Sequence, residues 1–501
     1  MVKPINKIVI VGGGTAGWMA AASLAKYAQG KSLDICLIES SSIQTVGVGE
    51  ATIPNIVEFN RILGIDEIEL IKATKATFKL GIQFEDWHQK GESFFHPFAD
   101  YGLKIDQLEF HQYLNRLAAN GDKFELQDYS FPCALAKLGH FAQPHPQPPS
   151  PLADYSYAYH FDASLYAQFL QKFAVNLGVT HIDAKVEKVN LHASNGFINS
   201  VTLDDGRNIE GQLFIDCSGF KGLLIEQALH TGYEDWSHWL FCDTAVAVQT
   251  ESVGATNPYT RSIAGDAGWQ WRIPLQHRTG NGYIYSSQFE TDEDAQNVLL
   301  ETVQGTPINQ PRKIAFTPGR RKQIWNKNCF ALGLASGFLE PLESTSISLV
   351  QTAIAKLLSF FPDSDFNPYD IAEVNRLHNR EVENIRDFLI LHYKMTGRTD
   401  SEFWRRCQAM EIPDLLAHKM GVYESRGHIV MTDNESFQSA SWLTMYQGFK
   451  HLSKRVDPRA ETVDLAFLQQ KLAQMRQSID SAAQQAMSHD NFLDAHCRAQ
   501  L

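Results

Sequence analysis

A chain of 501 residues, 44% hydrophobic and 20% charged, is long enough for roughly two to four structural units and too apolar to be disordered. Its formal net charge of −13 argues against sequence-independent binding to nucleic acid, which needs basic surface. The seven cysteines contain no CxxC pair, so neither a disulfide framework nor a zinc site is indicated, and a reducing cytoplasm is the natural home.

Residues 8–25 are uncharged and follow Lys3 and Lys7, the outline of a signal peptide or short membrane span. The apolar run Ile8-Val9-Ile10-Val11 stops at Gly12, however, so strand, turn and helix explain it better, and no other stretch is a candidate span. Gly12, Gly14 and Gly17 make the GxGxxG spacing between that strand and a helix-forming run from Trp18 to Ala25, with Thr15 and Ala16 inside the turn. Such a turn brings backbone to a pyrophosphate, which rests on the helix N-terminus. A second strand, 33–38, ends at Glu39, placed to bond a ribose hydroxyl.

Two later stretches favour FAD over NAD. Residues 46–54 form a second glycine-bearing loop, with Gly49, Glu50 and Ala51, suited to lying against a flat ring. Residues 212–219 resemble the late strand of FAD-binding Rossmann proteins, with Asp216 where the chain returns to the cofactor. No second GxGxxG appears, so no NAD(P)H site is evident and reduced flavin must come from another source.

Residues 78–87 read as one strand, with Phe78, Leu80, Ile82 and Phe84 on one face; alternation alone puts Lys79 on a solvated face. The aromatic run Ser93-Phe94-Phe95-His96-Pro97-Phe98 suits a pocket wall for a flat molecule, and Pro97 favours a loop over a core strand. A proline-rich loop, 143–151, is a lid or spacer, and His140 and His145 do not share a helical face as metal ligands would. A helix near 163–175, strands near 186–191 and 198–203, and a hairpin turn at Asp205-Gly206-Arg207 follow. Trp269, Trp271 and Ile273 share a strand face, and Tyr283-Ile284-Tyr285 pairs with that strand.

An apolar run 329–335, which includes Gly333 and Leu334, leads through Gly337-Phe338-Leu339-Glu340-Pro341-Leu342-Glu343-Ser344-Thr345-Ser346 into a helix from Leu349. A strand feeding a helix leaves the N–H groups of Ser344, Thr345 and Ser346 as a small anion site, although on this stretch alone an ordinary Ser/Thr cap is the better explanation. Beyond about residue 350 the chain turns mostly helical. Leu465, Leu468, Leu472, Met475, Ile479, Ala482 and Ala486 make a narrow seam, docked on the body or, as the alternative, in a homodimer contact.

The combination of GxGxxG, Lys79 in Phe-Lys-Leu-Gly, Trp269-x-Trp271-x-Ile273-Pro274 and Glu340-Pro341-Leu342-Glu343-Ser344-Thr345 resembles the flavin-dependent halogenases of the tryptophan halogenase family. The expected fold is α/β: an FAD-binding Rossmann-type, hydroxybenzoate hydroxylase-like domain with additional β-sheet over 1–350, then a mostly helical subdomain over 351–501. The resemblance implies reduced FAD diffusing from a separate flavin reductase, oxygen, and chloride or bromide, giving hypohalous acid. It implies a halide site on the amides of Thr345 and Ser346, where the family often has glycine in place of Ser346. Lys79 makes the halogen more electrophilic, by a hydrogen bond to the acid or as a haloamine. Glu343 accepts the ring proton and orients Lys79, with Ser344 as a supporting partner. Trp269 and Trp271 keep the substrate from the flavin.

The same resemblance places substrate contacts at His96, Pro97, Phe98 and Trp442. Tryptophan-specific members carry a Tyr-Tyr pair near the C-terminus to hold the amino-acid backbone. Residues 433–442 here have none, which is closer in character to members acting on free indole. A tryptophan-specific halogenase, an aromatic flavin monooxygenase and a non-catalytic flavin-binding redox protein are the competing readings. Neither a membrane, nor nucleic acid, nor a metal is expected as a partner.

Overall fold

The computed structural model describes residues 3–43, 49–105 and 107–500. The chain forms two compact units: Met1–Ala76, Phe161–His238 and Ala315–Glu383 make the first, and Thr77–His160, Trp239–Ile314 and Asn384–Leu501 the second.

In the first unit, a sheet runs in the order Trp325–Asn326, Cys329–Ala331, Leu213–Asp216, Lys7–Val11, Asp34–Glu39, Thr180–Asp183. The outermost pair, Trp325–Asn326 with Cys329–Ala331, is antiparallel and the rest are parallel. Ile8, Val9 and Ile10 are completely buried, as befits a parallel strand covered on both faces. Val11 lies opposite Ile38 on one side and Asp216 on the other, so Gly12, Glu39 and Asp216 gather at the carboxyl edge, where such sheets bind ligands. The helix Thr15–Ala28 buries Ala20, Ala21, Ala22 and Ala25 and packs on the helices Ala163–Asn176 and Ser346–Ser359. Small residues allow that close approach. The hairpin at Asp205–Arg207 joins the strands Ile198–Leu203 and Asn208–Glu210 as expected.

The second unit holds an extended sheet in the order Thr244–Thr250, Thr279–Tyr285, Gly268–Pro274, Thr260–Ala264, Gly81–Glu85, Ser93–Pro97. All pairs are antiparallel except Thr260–Ala264 with Gly81–Glu85. Tyr283 and Ile284 pair with Gln270 and Trp269, as the sequence led us to expect. The helix Asp292–Thr302 covers one face, burying Val246, Val248, Tyr283 and Tyr285 against Ala295 and Leu299. Thr77–Lys79 pairs instead with the strand that begins at Ala158, with Lys79 opposite Ala158.

Several expectations need correcting. Residues 78–87 are not one strand: Thr77–Lys79 and Gly81–Glu85 are separate, because Leu80 N–H bonds the Pro258 carbonyl (2.8 Å) and its own carbonyl takes Phe98 N–H (3.1 Å). Lys79 is on no solvated face; it is 0% exposed. Ser93–Pro97 is an edge strand rather than a loop, with the proline at its last position, where its missing N–H costs no ladder bond. The run 329–335 shortens to the strand Cys329–Ala331 and a tight turn at Gly333–Ala335. Of the second glycine-bearing loop, Val46, Gly47 and Val48 lie outside the described residues, and Gly49–Ala51 is a short strand. The long helix Leu465–Gln485 docks on Phe131–Leu138 within its own unit, but Ala483 is buried at the seam's end and Ala482 is not, the drift of a 3.6-residue turn off a seven-residue repeat. Beyond residue 350 the elements are helices apart from the short strand Met487–Ser488. Among the described residues no helix is long and apolar enough to cross a membrane.

Candidate active site

In the first unit, the candidate cofactor residues begin at the glycine turn. Gly12 has φ +111°, and a Cβ there would stand 2.2 Å from the Cys217 carbonyl oxygen, so only glycine fits. A Cβ on Gly17 would stand 1.9 Å from the Gly12 oxygen. Gly14, by contrast, meets nothing within 4 Å and starts the helix Thr15–Ala28 without a side-chain cap. Unspent N–H groups over open space are what a cofactor pyrophosphate requires. Gly333 closes the cradle, its Cβ position lying 2.8 Å from Ala16 Cβ, with Leu334 next in the same turn.

Glu39 sits against this turn, since a Cβ on Gly13 would meet its carboxylate at 1.8 Å. Its Oε1 is 2.9 Å from His181 Nε2. Burial pushes the Glu39 carboxyl up, and His181 works against that. His181 was missed in the sequence; its signal is register alone, opposite Leu37 on the neighbouring strand. Packing around the half-buried Glu50 pushes its carboxyl up to about 7. Asp216 is fully buried and spends its carboxylate on the chain: Oδ1 accepts from Ser218 N–H (3.0 Å) and Oγ (2.6 Å), Oδ2 from Leu224 and Ile225 N–H (2.8 Å each). It shapes the loop beneath Gly12.

Later in this unit, Pro341–Glu343 is a tight helical turn, Ser344 is left-handed (φ +59°), and the helix Ser346–Ser359 follows. Ser344 N–H bonds the Pro341 carbonyl at 3.0 Å, so the expected trio of donors is reduced to Thr345 and Ser346. The ordinary cap is absent too: Thr345 precedes the helix, yet its hydroxyl caps nothing and, 1% exposed, has no partner among the described residues. Glu340 and Glu343 are each 1% exposed beside it.

In the second unit, Lys79 Nζ stands 5.3 Å from the centre of the Phe98 ring. The edge strand Ser93–Pro97 runs alongside, with His96 opposite Ile82 and Pro97 opposite Gly81. His96, Phe388, Phe437 and Trp442 form one aromatic cluster: Phe388 stacks on Phe437 at 4.0 Å, meets Trp442 edge-on at 5.0 Å, and lies 6.2 Å from His96. Phe388 and Phe437 were not singled out in the sequence. Nor was the buried ion pair of Lys419 with Glu435, whose ammonium also sits 4.2 Å from the Trp442 ring centre. Trp442 Nε1 has no partner among the described residues. Trp269 and Trp271 share a face, 6.2 Å apart, and Trp269 packs toward Trp87 at 6.4 Å.

The tryptophan halogenase sequence model matches residues 7–465. Tryptophan 7-halogenase RebH of Lentzea aerocolonigenes is 39% identical over 441 residues, 84% of this chain and 82% of that protein. Among solved structures, BrvH, a flavin-dependent halogenase from Brevundimonas sp. BAL3, superposes with a TM-score of 0.96 at 46% identity, covering 98% of this chain and 99% of that one. Xcc4156, a flavin-dependent halogenase from Xanthomonas campestris, gives the same score and identity over 99% of each chain. The glycine cradle thus belongs to a flavin enzyme using halide and oxygen, and the chain is a member of the tryptophan halogenase family of flavin-dependent halogenases.

Proposed function

We propose that the chain is the halogenating component of a two-component system, fed with reduced FAD by a separate flavin reductase in the cytoplasm and acting on an indole-type, electron-rich aromatic. The turn at Gly12, Gly14, Thr15, Ala16 and Gly17 would hold the FAD pyrophosphate, Glu39 the ribose, and Gly49–Ala51 with Gly333 and Leu334 the remainder. When bound, reduced FAD would supply two electrons and two protons to oxygen, so that oxygen, halide and one further proton give hypohalous acid and water. The amides of Thr345 and Ser346, with the unpartnered Thr345 hydroxyl, suit a halide at a helix N-terminus.

Lys79 acts on the hypohalous acid as a cationic donor that makes the halogen electrophilic. Halogen adds to the ring carbon as the O–X bond breaks, the departing hydroxide takes a proton from Lys79 to become water, and Glu343 accepts the ring proton, which returns to Lys79 through solvent and leaves the haloarene. Ser344 supports Glu343. Trp269 and Trp271 keep the arene from the flavin. The observation that carries this reading is the complete burial of Lys79 beside the aromatic ring of Phe98; a lysine is left dry when its charge has work to do. The choice of indole over tryptophan is supported by the Lys419–Glu435 pair. It neutralises the charges of that region internally and leaves a wall of Phe388, Phe437 and Trp442 rather than a clamp for an amino acid.

The test is mass spectrometry of products from the enzyme, FAD, a flavin reductase, NADH, oxygen and bromide, with indole and tryptophan offered together. Bromoindole without bromotryptophan is expected from the wild type and neither from Lys79→Ala. Bromotryptophan as the main product refutes the substrate class, and a halogenating Lys79→Ala refutes the residue's role.

A further inference from the structure

Two buried histidines flank the strand that carries Lys79, and hydrogen bonding fixes the tautomer of each. Thr77 Oγ1 donates to the Pro274 carbonyl (2.7 Å), so in its 3.0 Å bond with His160 Nδ1 it accepts, and Nδ1 carries the proton. His160 Nε2 then accepts from Thr260 Oγ1 at 2.9 Å. His489 Nδ1 lies 2.9 Å from the Thr256 carbonyl, which only accepts, so Nδ1 donates and Nε2 takes the N–H of Phe78 at 3.2 Å. Both rings are neutral. Burial holds both far below the ordinary histidine range, and the charge of Lys79 adds to this at His160.

His489 follows Phe78 by 411 positions and lies outside the stretch matched by the family model, 7–465. Its segment is knitted into the second unit. Met487–Ser488 pairs with His140–Phe141, and His489 N–H bonds the Gly139 carbonyl at 2.8 Å. Thr256 N–H bonds Asp490 Oδ2 at 3.0 Å, and Ala499 N–H bonds Gln276 Oε1 at 2.8 Å. The imidazole packs against Phe78 and Phe141, so its acceptor nitrogen is held in place rather than swinging.

We propose that His489 is a positioning residue for Lys79: the C-terminal segment pins the strand Thr77–Lys79 through the Phe78 N–H and so sets where the ammonium stands against Phe98. The proposal rests on the catalytic reading of Lys79 given above. Two substitutions separate pinning from packing. His489→Phe keeps an aromatic ring against Phe78 and Phe141 and removes the acceptor, whereas His489→Gln keeps an acceptor and a donor.

The full-length enzyme is assayed with FAD, a flavin reductase, NADH, oxygen and bromide, on whichever of indole and tryptophan the wild type halogenates. Product per oxygen consumed and the KM for the arene are measured. His489→Phe is expected to lose roughly tenfold in product per oxygen with an unchanged KM, the effect of a misplaced catalytic group. His489→Gln should recover to within about threefold of wild type. Wild-type yield from His489→Phe, or equal loss from both variants, overturns the proposal. If His489→Phe does not fold, His489→Asn, which keeps the donor to Thr256 and is too short for Phe78, takes its place with the same expected and overturning results. Lys79→Ala run in parallel tells the two failures apart: halogenation by that variant refutes the catalytic reading, whereas its silence beside an unaffected His489→Phe refutes the positioning alone.

Discussion

Replacing Asp216 by asparagine tests whether this residue serves the cofactor or the loop beneath it. The carboxylate accepts four hydrogen bonds, from Ser218 N–H and Oγ on one oxygen and from Leu224 and Ile225 N–H on the other. An asparagine keeps one oxygen and turns an NH2 toward the other pair of donors. Two bonds to a charged, fully buried group are then lost, at about 1.5–3 kcal/mol each, so Asp216→Asn should cost about 3–6 kcal/mol. That is a large part of ordinary folding stability. The assay is urea unfolding of the flavin-free protein followed by tryptophan fluorescence, with midpoints compared at constant slope, and then an FAD titration. Weaker FAD binding should accompany the lost stability, because the Cys217 carbonyl that abuts Gly12 hangs from this residue. A flavin-free protein within about 1 kcal/mol of wild type that nonetheless fails to bind FAD would refute the reasoning and return Asp216 to direct cofactor contact.

Glu435→Gln removes the partner of a lysine that is 2% exposed, and leaving that cation buried should cost about 3–5 kcal/mol in the same urea assay. Adding Lys419→Met should recover most of the loss; a single variant as stable as wild type would show that water reaches the pair. Acid should also destabilise the second unit. His489 sits at a pKa of about 4 when folded, against an ordinary 6.5, so between those values the unfolded chain binds the extra proton. Stability from this group is full above pH 6.5 and declines as pH falls toward 4, by a total of about 3 kcal/mol. His489→Gln should flatten that limb of the pH–stability curve, and an unchanged limb would place the titration elsewhere.

The elements legible in the sequence were those whose signal is local. Lys7–Val11, the glycine turn and Thr15–Ala28 carry their period and their punctuation within about twenty residues, and the strand Gly268–Pro274 alternates Trp269, Trp271 and Ile273 with the polar Gln270 and Arg272. What was not legible depends on partners remote in sequence. The break at Leu80 is imposed by the Pro258 carbonyl, and nothing near Leu80 announces it. His181 reaches Glu39 only through the pairing of parallel strands. Asp216 looked like a cofactor residue because it ends a strand; that its four bonds return to its own loop depends on the fold of 218–225. Phe388 and Phe437 are 49 positions apart and meet by helix packing rather than by any motif.

Lys79 shows where local reasoning stops. Alternation correctly set it apart from Phe78, since neighbours on a strand point to opposite faces. The error was to equate the opposite face with water. A three-residue strand paired with Ala158–His160 is too short to keep a wet side once the Phe98 ring lies over one position and His489 reaches the next. Burying an ammonium costs free energy that no apolar packing returns, so the neighbours must not add to it. Burial holds His160 and His489 neutral, and a second positive charge is thereby kept from the strand. The motif around Lys79 names the residue, but the charge state of its surroundings is written 81 and 410 positions away, at His160 and His489.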